Sequence, residues 1–140
     1  MTDKHLSSQF DSELTAISAR VMEMGGLVES QIRTAVCALA QFSSEAAGQV
    51  MEAESRVNAM EVEIDHDLSS IIARRQPTAR DLRLLIAISK ATANLERAGD
   101  EAEKIARMVR AIAQSGMARA VPSSELRLVA DLASALLRKS

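Results

Sequence analysis

Apolar residues recur at intervals of three and four from the start of the chain: Leu6, Phe10, Leu14, Ile17, Val21, Met24, Val28, Ile32, Ala35, Leu39 and Phe42. That period belongs to one face of a helix sustained for about eleven turns, and it predicts a helix over residues 2–42. Gly25-Gly26 interrupts the pattern and marks either a close helix–helix contact or a slight bend. Ser43-Ser44-Glu45 supplies a turn and capping chemistry for a second helix. The stripe of that helix is Val50, Ala53, Val57, Met60, Ile64, Leu68 and Ile71. It ends at Arg74-Arg75-Gln76, because Pro77 disfavours helical backbone at the residue before it. Thr78, with Asp81 three residues on, has the signature of an N-cap. A third helix over 79–114 follows, with Leu84, Ile88, Ala91, Leu95, Ala98, Ala102, Ile105, Val109 and Ile112 as its expected buried face. Gly116 and Pro122 bracket a linker, and Ser123-Ser124-Glu125 opens a fourth helix carrying Leu126, Val129, Ala133, Leu136 and Leu137.

Long helices joined by short turns must lie antiparallel, so the expected fold is all-α. It is an antiparallel three-helix bundle over 1–116, a linker over 117–122 and one extra helix over 123–140. Of the 140 residues 47% are apolar, and Phe10 and Phe42 are the only aromatics, which favours helices and disfavours stacking on bases. The formal charge of −2 gives no field that attracts a polyanion, so no nucleic-acid partner is expected. Cys37, the lone cysteine, excludes an intrachain disulfide and points to a reducing compartment; its apolar neighbours predict a buried thiol. No apolar run is long enough to span a bilayer, and the first residues lack a signal-peptide core. A cytoplasmic protein, peripheral to membranes through partners only, is expected.

The third helix carries the candidate chemistry. Leu95–Ala106 includes a glycine and four acids, although glycine inside a helix costs about 0.5–1 kcal/mol relative to alanine. Glu96 and Asp100 project from the same face, and Glu61 and Asp65 repeat that spacing on the second helix. Like charges so placed repel unless a cation lies between them, so the pairs suggest a carboxylate-lined cation site. At 100° per residue, Glu54, Asn58, Glu61 and Asp65 share a stripe beside the core face of the second helix. Ser89, Thr92, Glu96, Asp100, Glu103 and Arg107 share one on the third, away from the Leu95 face, so a site between them would lie at the bundle surface. Measured from the Gln76-Pro77 turn at about 1.5 Å per residue, Asp65 lies ~17 Å away, Glu61 ~23 Å, Glu96 ~29 Å and Asp100 ~35 Å. Straight, level helices place Glu96 and Asp100 opposite Asn58 and Glu54, and an offset or bend is needed to bring Glu61 onto Glu96. All-oxygen donors suit Mg²⁺, Mn²⁺, Ca²⁺ or iron. The competing reading is solvated acids paired with Arg97, Lys104 or Arg107, for which Glu103 and Arg107 have the spacing.

Catalytic constellations are missing. His5 and His66 are the only histidines, and Glu63–His66 is one Glu-x-x-His where di-iron carboxylate bundles use two. There is no phosphate-cradling glycine loop, nucleophile elbow or Cys–His pairing. A protein that acts by binding, not an enzyme, is expected. The alternative from another class is a carboxylate-bridged metallo-oxidase.

Glu96-Arg97-Ala98-Gly99-Asp100, followed by Ala102 and Ile105-Ala106, resembles the signature of the PhoU family of phosphate-uptake regulators. The resemblance extends through Val57–Asp65, through Ile71–Arg83, and through Gln9–Leu14 and Val21–Glu29 near the start. It implies a cytosolic accessory protein of the high-affinity phosphate ABC transporter that represses starvation signalling and restrains uptake. The implied partners are the transporter's ATPase subunit, the phosphate sensor histidine kinase and a second copy in a homodimer. It also implies that Glu61, Asp65, Glu96 and Asp100 are metal ligands, for iron, Mn²⁺ or Mg²⁺. The family has two tandem three-helix repeats, and this chain resembles the first plus the opening helix of the second, at 123–140. That helix is expected to leave an apolar face open to dimerisation or to docking on the first bundle.

Overall fold

A computed structural model describes residues 2–115, with side chains from Ser8 onward, and the single positions Leu128, Asp131 and Ala135. The expected linker at 117–122 lies outside the described residues. So does the expected helix at 123–140, apart from those three positions, which are helical and exposed.

The chain forms α1 (Thr2–Gln41), α2 (Ser44–Arg75) and α3 (Ala79–Ser115), and each helix packs on the other two. Cross-helix contacts give the directions. Arg74 meets Glu13, Arg20 meets Asp67 and Gln31 meets Glu54, so α2 descends as α1 ascends. α3 runs parallel to α1, with Leu95 near Gly25 and Gly99 near Gln31. This is the up-down-up bundle that the hydrophobic period predicts.

Both turns use left-handed residues other than glycine. Phe42 has φ 48°, and Ser43 N donates back to the Ala38 carbonyl at 3.1 Å, the six-to-one bond of a Schellman stop. Ser43 then caps α2, its Oγ accepting from Ala46 N at 3.1 Å. Gln76, with φ 46°, ends α2, and Thr78 Oγ1 accepts from Asp81 N at 3.3 Å to open α3.

The buried interior falls into two apolar clusters. Toward the α2–α3 turn it is built from bulky side chains, including Ile17, Met24, Ile64, Ile71 and Leu85. Toward the α1–α2 turn it is built from Ala35, Ala38, Ala47, Val50, Ala102, Ala106 and Val109. Between them lies a polar layer of Gln31, Glu54 and the backbone at Gly99.

Two sequence expectations are corrected. The buried face of α3 is Leu85, Thr92, Gly99, Ala102, Ala106 and Val109, while Leu84 is 45% exposed and Ala91 is also exposed. Leu84, Leu85 and Ile86 are all apolar and select no face among themselves. Thr92 is burial-competent because its hydroxyl donates to the Ile88 carbonyl at 2.8 Å, and Gly99 has no side chain for a hydrophobic pattern to register. Cys37 is exposed, because Ala35 and Ala38 carry the inward face and Cys37 turns away from it.

The orientation of α3 gives a direct test. Leu85→Ala is expected to cost about 2–4 kcal/mol in urea unfolding and Leu84→Ala under about 1 kcal/mol, the difference between emptying a core site and trimming a surface. The reverse order would mean that the helix is rotated the other way.

Candidate metal centre

Rotation of α3 turns its acid stripe inward. Glu54, Glu96 and Asp100 each place a carboxylate oxygen so that all three lie within 4.8 Å of one another. Glu54 is 4% exposed, and Glu96 and Asp100 are half-buried. At an effective dielectric near 20, ionised like charges about 4–5 Å apart repel by on the order of 3–4 kcal/mol per pair, several times the cost of a mid-helix glycine.

Glu54 is held from α1. Its Oε2 accepts from Gln31 Nε2 at 2.7 Å, and the same nitrogen donates to the Val50 carbonyl at 3.2 Å, one turn along α2. Both neighbours are acceptors, which fixes the amide with its nitrogen toward α2. Gln31 Oε1 is thereby left buried without a donor. It faces α3 at Gly99, where a Cβ would stand 2.8 Å from Gln31 Oε1 and 3.2 Å from Glu54 Oε2. Gly99 is thus explained by close approach: any side chain there would occupy the space of the polar layer.

Burial pushes the Glu54 carboxyl above the ordinary glutamate range against the opposing hydrogen bond from Gln31, and Glu103, Glu96 and Asp100 add to the rise. Glu61 is raised as well, first by burial and then by Glu96 and Asp65. Several acids elsewhere in the bundle meet a base. Glu13 meets Arg75 at 2.9 Å and Arg74 at 3.1 Å, Arg20 pairs with Glu63 and Asp67, and Arg107 pairs with Glu103. Lys104 reaches Asp100 at 3.5 Å, but that pair is exposed and weak. Among the described residues no lysine or arginine pairs with Glu54, Glu61 or Glu96.

The residues fit a hard cation. The donors are all oxygen, the one base among the described residues that reaches the cluster is the exposed Lys104 at Asp100, and an orphaned buried carbonyl oxygen lies against Glu54 and Gly99. Of the four ligands the family resemblance implies, Glu96 and Asp100 lie in the cluster. Glu61 is half-buried and close enough to Glu96 to feel its charge, and Asp65 is exposed beyond it. Glu54 completes the cluster; the helix-depth estimate places it level with Asp100, although the paired motif omits it. Asn58, level with Glu96 on that estimate, is exposed, as is His66. Gln31 is absent from the sequence reading, and its only signal there is a polar residue between Val28 and Ala35 on the buried face of α1.

A family model described as PhoU domain matches residues 21–109. The chain is 53% identical over 116 residues to a Burkholderia protein named phosphate-specific transport system accessory protein PhoU homolog, covering 83% of this chain and 49% of that protein. It is 51% identical over 105 residues to the Escherichia coli K12 phosphate-specific transport system accessory protein PhoU, covering 75% and 44%. The crystal structure of PhoU from Pseudomonas aeruginosa superposes with a TM-score of 0.80 at 43% identity, covering 87% of this chain and 58% of that one. The chain spans about half the length of the curated relatives it matches.

The raised carboxyls carry a pH signature. Glu54 and Glu61 hold protons more tightly folded than unfolded, so their ionisation erodes stability as pH rises from the ordinary glutamate range through their raised values. Glu13, lowered chiefly by its hydrogen bond from Arg75, acts oppositely and loses its contribution as pH falls through its lowered value. In chelator-treated protein, Glu54→Gln is therefore expected to raise stability more at pH 8 than at pH 5. An equal effect at both, read by urea unfolding, would show that Glu54 ionisation is not the cause.

Proposed function

The chain belongs to the PhoU family, and on that premise we propose that it is a non-enzymatic accessory protein of phosphate transport. In this reading it restrains uptake and represses phosphate-starvation signalling by binding the transporter's ATPase subunit and the phosphate sensor histidine kinase. The observation that carries the proposal is the match to accessory proteins of phosphate-specific transport across α1, α2 and α3 at about half identity. No described helix is long and apolar enough to cross a membrane, which accords with a cytoplasmic adaptor that reaches the membrane through its partners. Homodimerisation belongs to the same proposal.

The acid seam is the proposed cation site. Glu96 and Asp100 hold the ion together with Glu54, and Glu61 and then Asp65 extend the donor set along α2. An iron, Mn²⁺ or Mg²⁺ ion there would supply a positive charge that no base among the described residues offers Glu54 or Glu96, tying α2 to α3 across the acid seam.

Two measurements test this. Deleting the gene is expected to raise expression from phosphate-starvation promoters in phosphate-rich medium, and unchanged expression would remove the regulatory reading. Elemental analysis is expected to find metal in the wild-type protein and to lose it in the Glu96→Ala/Asp100→Ala variant. Equal metal content would remove the site.

A further inference from the structure

The acid cluster faces α1 as well as the α2–α3 seam. Glu54 has two carboxylate oxygens, and Oε2 is engaged by Gln31 Nε2 at 2.7 Å. Gln31 is 2% exposed and anchored a second time to the Val50 carbonyl, so its amide reads both the backbone of α2 and the carboxylate one turn along it. Its own oxygen has no donor and lies against Gly99, which immediately precedes Asp100 in sequence. The arrangement suits a cluster that needs one carboxylate held at a fixed angle: a hydrogen bond to one oxygen sets the plane of the group and leaves the other free to ligate. Resting on the cation site proposed above, we infer that Gln31 is a positioning residue, orienting Glu54 toward Glu96 and Asp100 so that the cation site is built from all three helices.

Hydrogen-bond partners behind metal ligands typically account for 10–100-fold in affinity. The probe is Mn²⁺ alone, titrated into the full chain after chelator treatment and followed by the electron paramagnetic resonance signal of free Mn²⁺. Gln31→Met keeps the length of the side chain and removes the donor; about 10–100-fold weaker binding is expected. The decisive readout is the cycle with Glu54→Gln. If Gln31 acts through Glu54, Gln31→Met has little further effect once Glu54 is Gln. If it merely supports the bundle, the same loss appears in both backgrounds, and the inference is overturned. Gln31→Asn, which withdraws the amide by one methylene, serves as the second variant should Gln31→Met fail to fold, and the same loss is expected. Wild-type protein that binds Mn²⁺ no more tightly than either Gln31 variant overturns the inference while leaving the cation site standing. Wild-type protein that binds no Mn²⁺ overturns both.

Discussion

The hydrogen bond between Gln31 and Glu54, closed over by Gly99, is the constraint on which the rest of the bundle depends. It brings a carboxylate and an amide into the centre of a three-helix core and leaves one amide oxygen without a donor. An unsatisfied buried acceptor costs about 1–3 kcal/mol, and apolar residues in its place would pack at no such cost. The return is register. The layer separates a bulky apolar cluster from a small-residue one, so a slip of one turn between α1 and α2 would set Glu54 against apolar side chains and leave Gln31 without its acceptor. Single buried polar residues specify helix register in this way. Gly99 is the steric half of the device, since the polar layer fits only where α3 contributes backbone alone.

The same layer decides where charge remains uncompensated. Toward the α2–α3 turn, acids on α1 and α2 meet arginines across the helix seam, and Glu13 is lowered as a result. At the polar layer no arginine reaches Glu54 or Glu96, and burial raises Glu54. α2 and α3 therefore carry unpaired like charges across the polar layer, and the apolar clusters on either side hold them together. Protons offset that repulsion at low pH and a cation would offset it at neutral pH. Both would act on the same carboxylates.

The bundle itself was legible because helix periodicity, Ser43 and Thr78 capping, and the break before Pro77 are local signals that tertiary packing did not override. The rotation of α3 was not legible. A pattern of apolar residues weights Leu84 and Ala91, and it cannot see that Thr92 satisfies its own hydroxyl or that Gly99 marks a contact by lacking a side chain. Glu96 and Asp100 stood out by their spacing, and simple helix geometry brought Glu54 level with Asp100. Gln31 stayed hidden because one glutamine among apolar neighbours carries no motif, and its partner is 23 residues away in the sequence. Cys37 shows the converse: apolar neighbours in sequence did not make it buried, because the neighbours of a helical residue in space are three and four positions away.

Antiparallel packing also explains why the two Glu-x-x-x-Asp pairs do not meet as pairs. Along α2 the carboxylates run from Asp65 through Glu61 to Glu54 as they leave the α2–α3 turn, while along α3 they run from Glu96 through Asp100 to Glu103. Glu96, nearest the turn on α3, is sensed by both Glu61 and Glu54, and Asp100 by Glu54. Asp65 adds to the rise of the Glu61 carboxyl but remains exposed. The helices thus interleave their acids into one strip, with Glu96 shared at its centre and Glu54 as its deepest member. A motif defined on either helix alone describes half of that strip, and the residue that ties it to α1 belongs to neither motif.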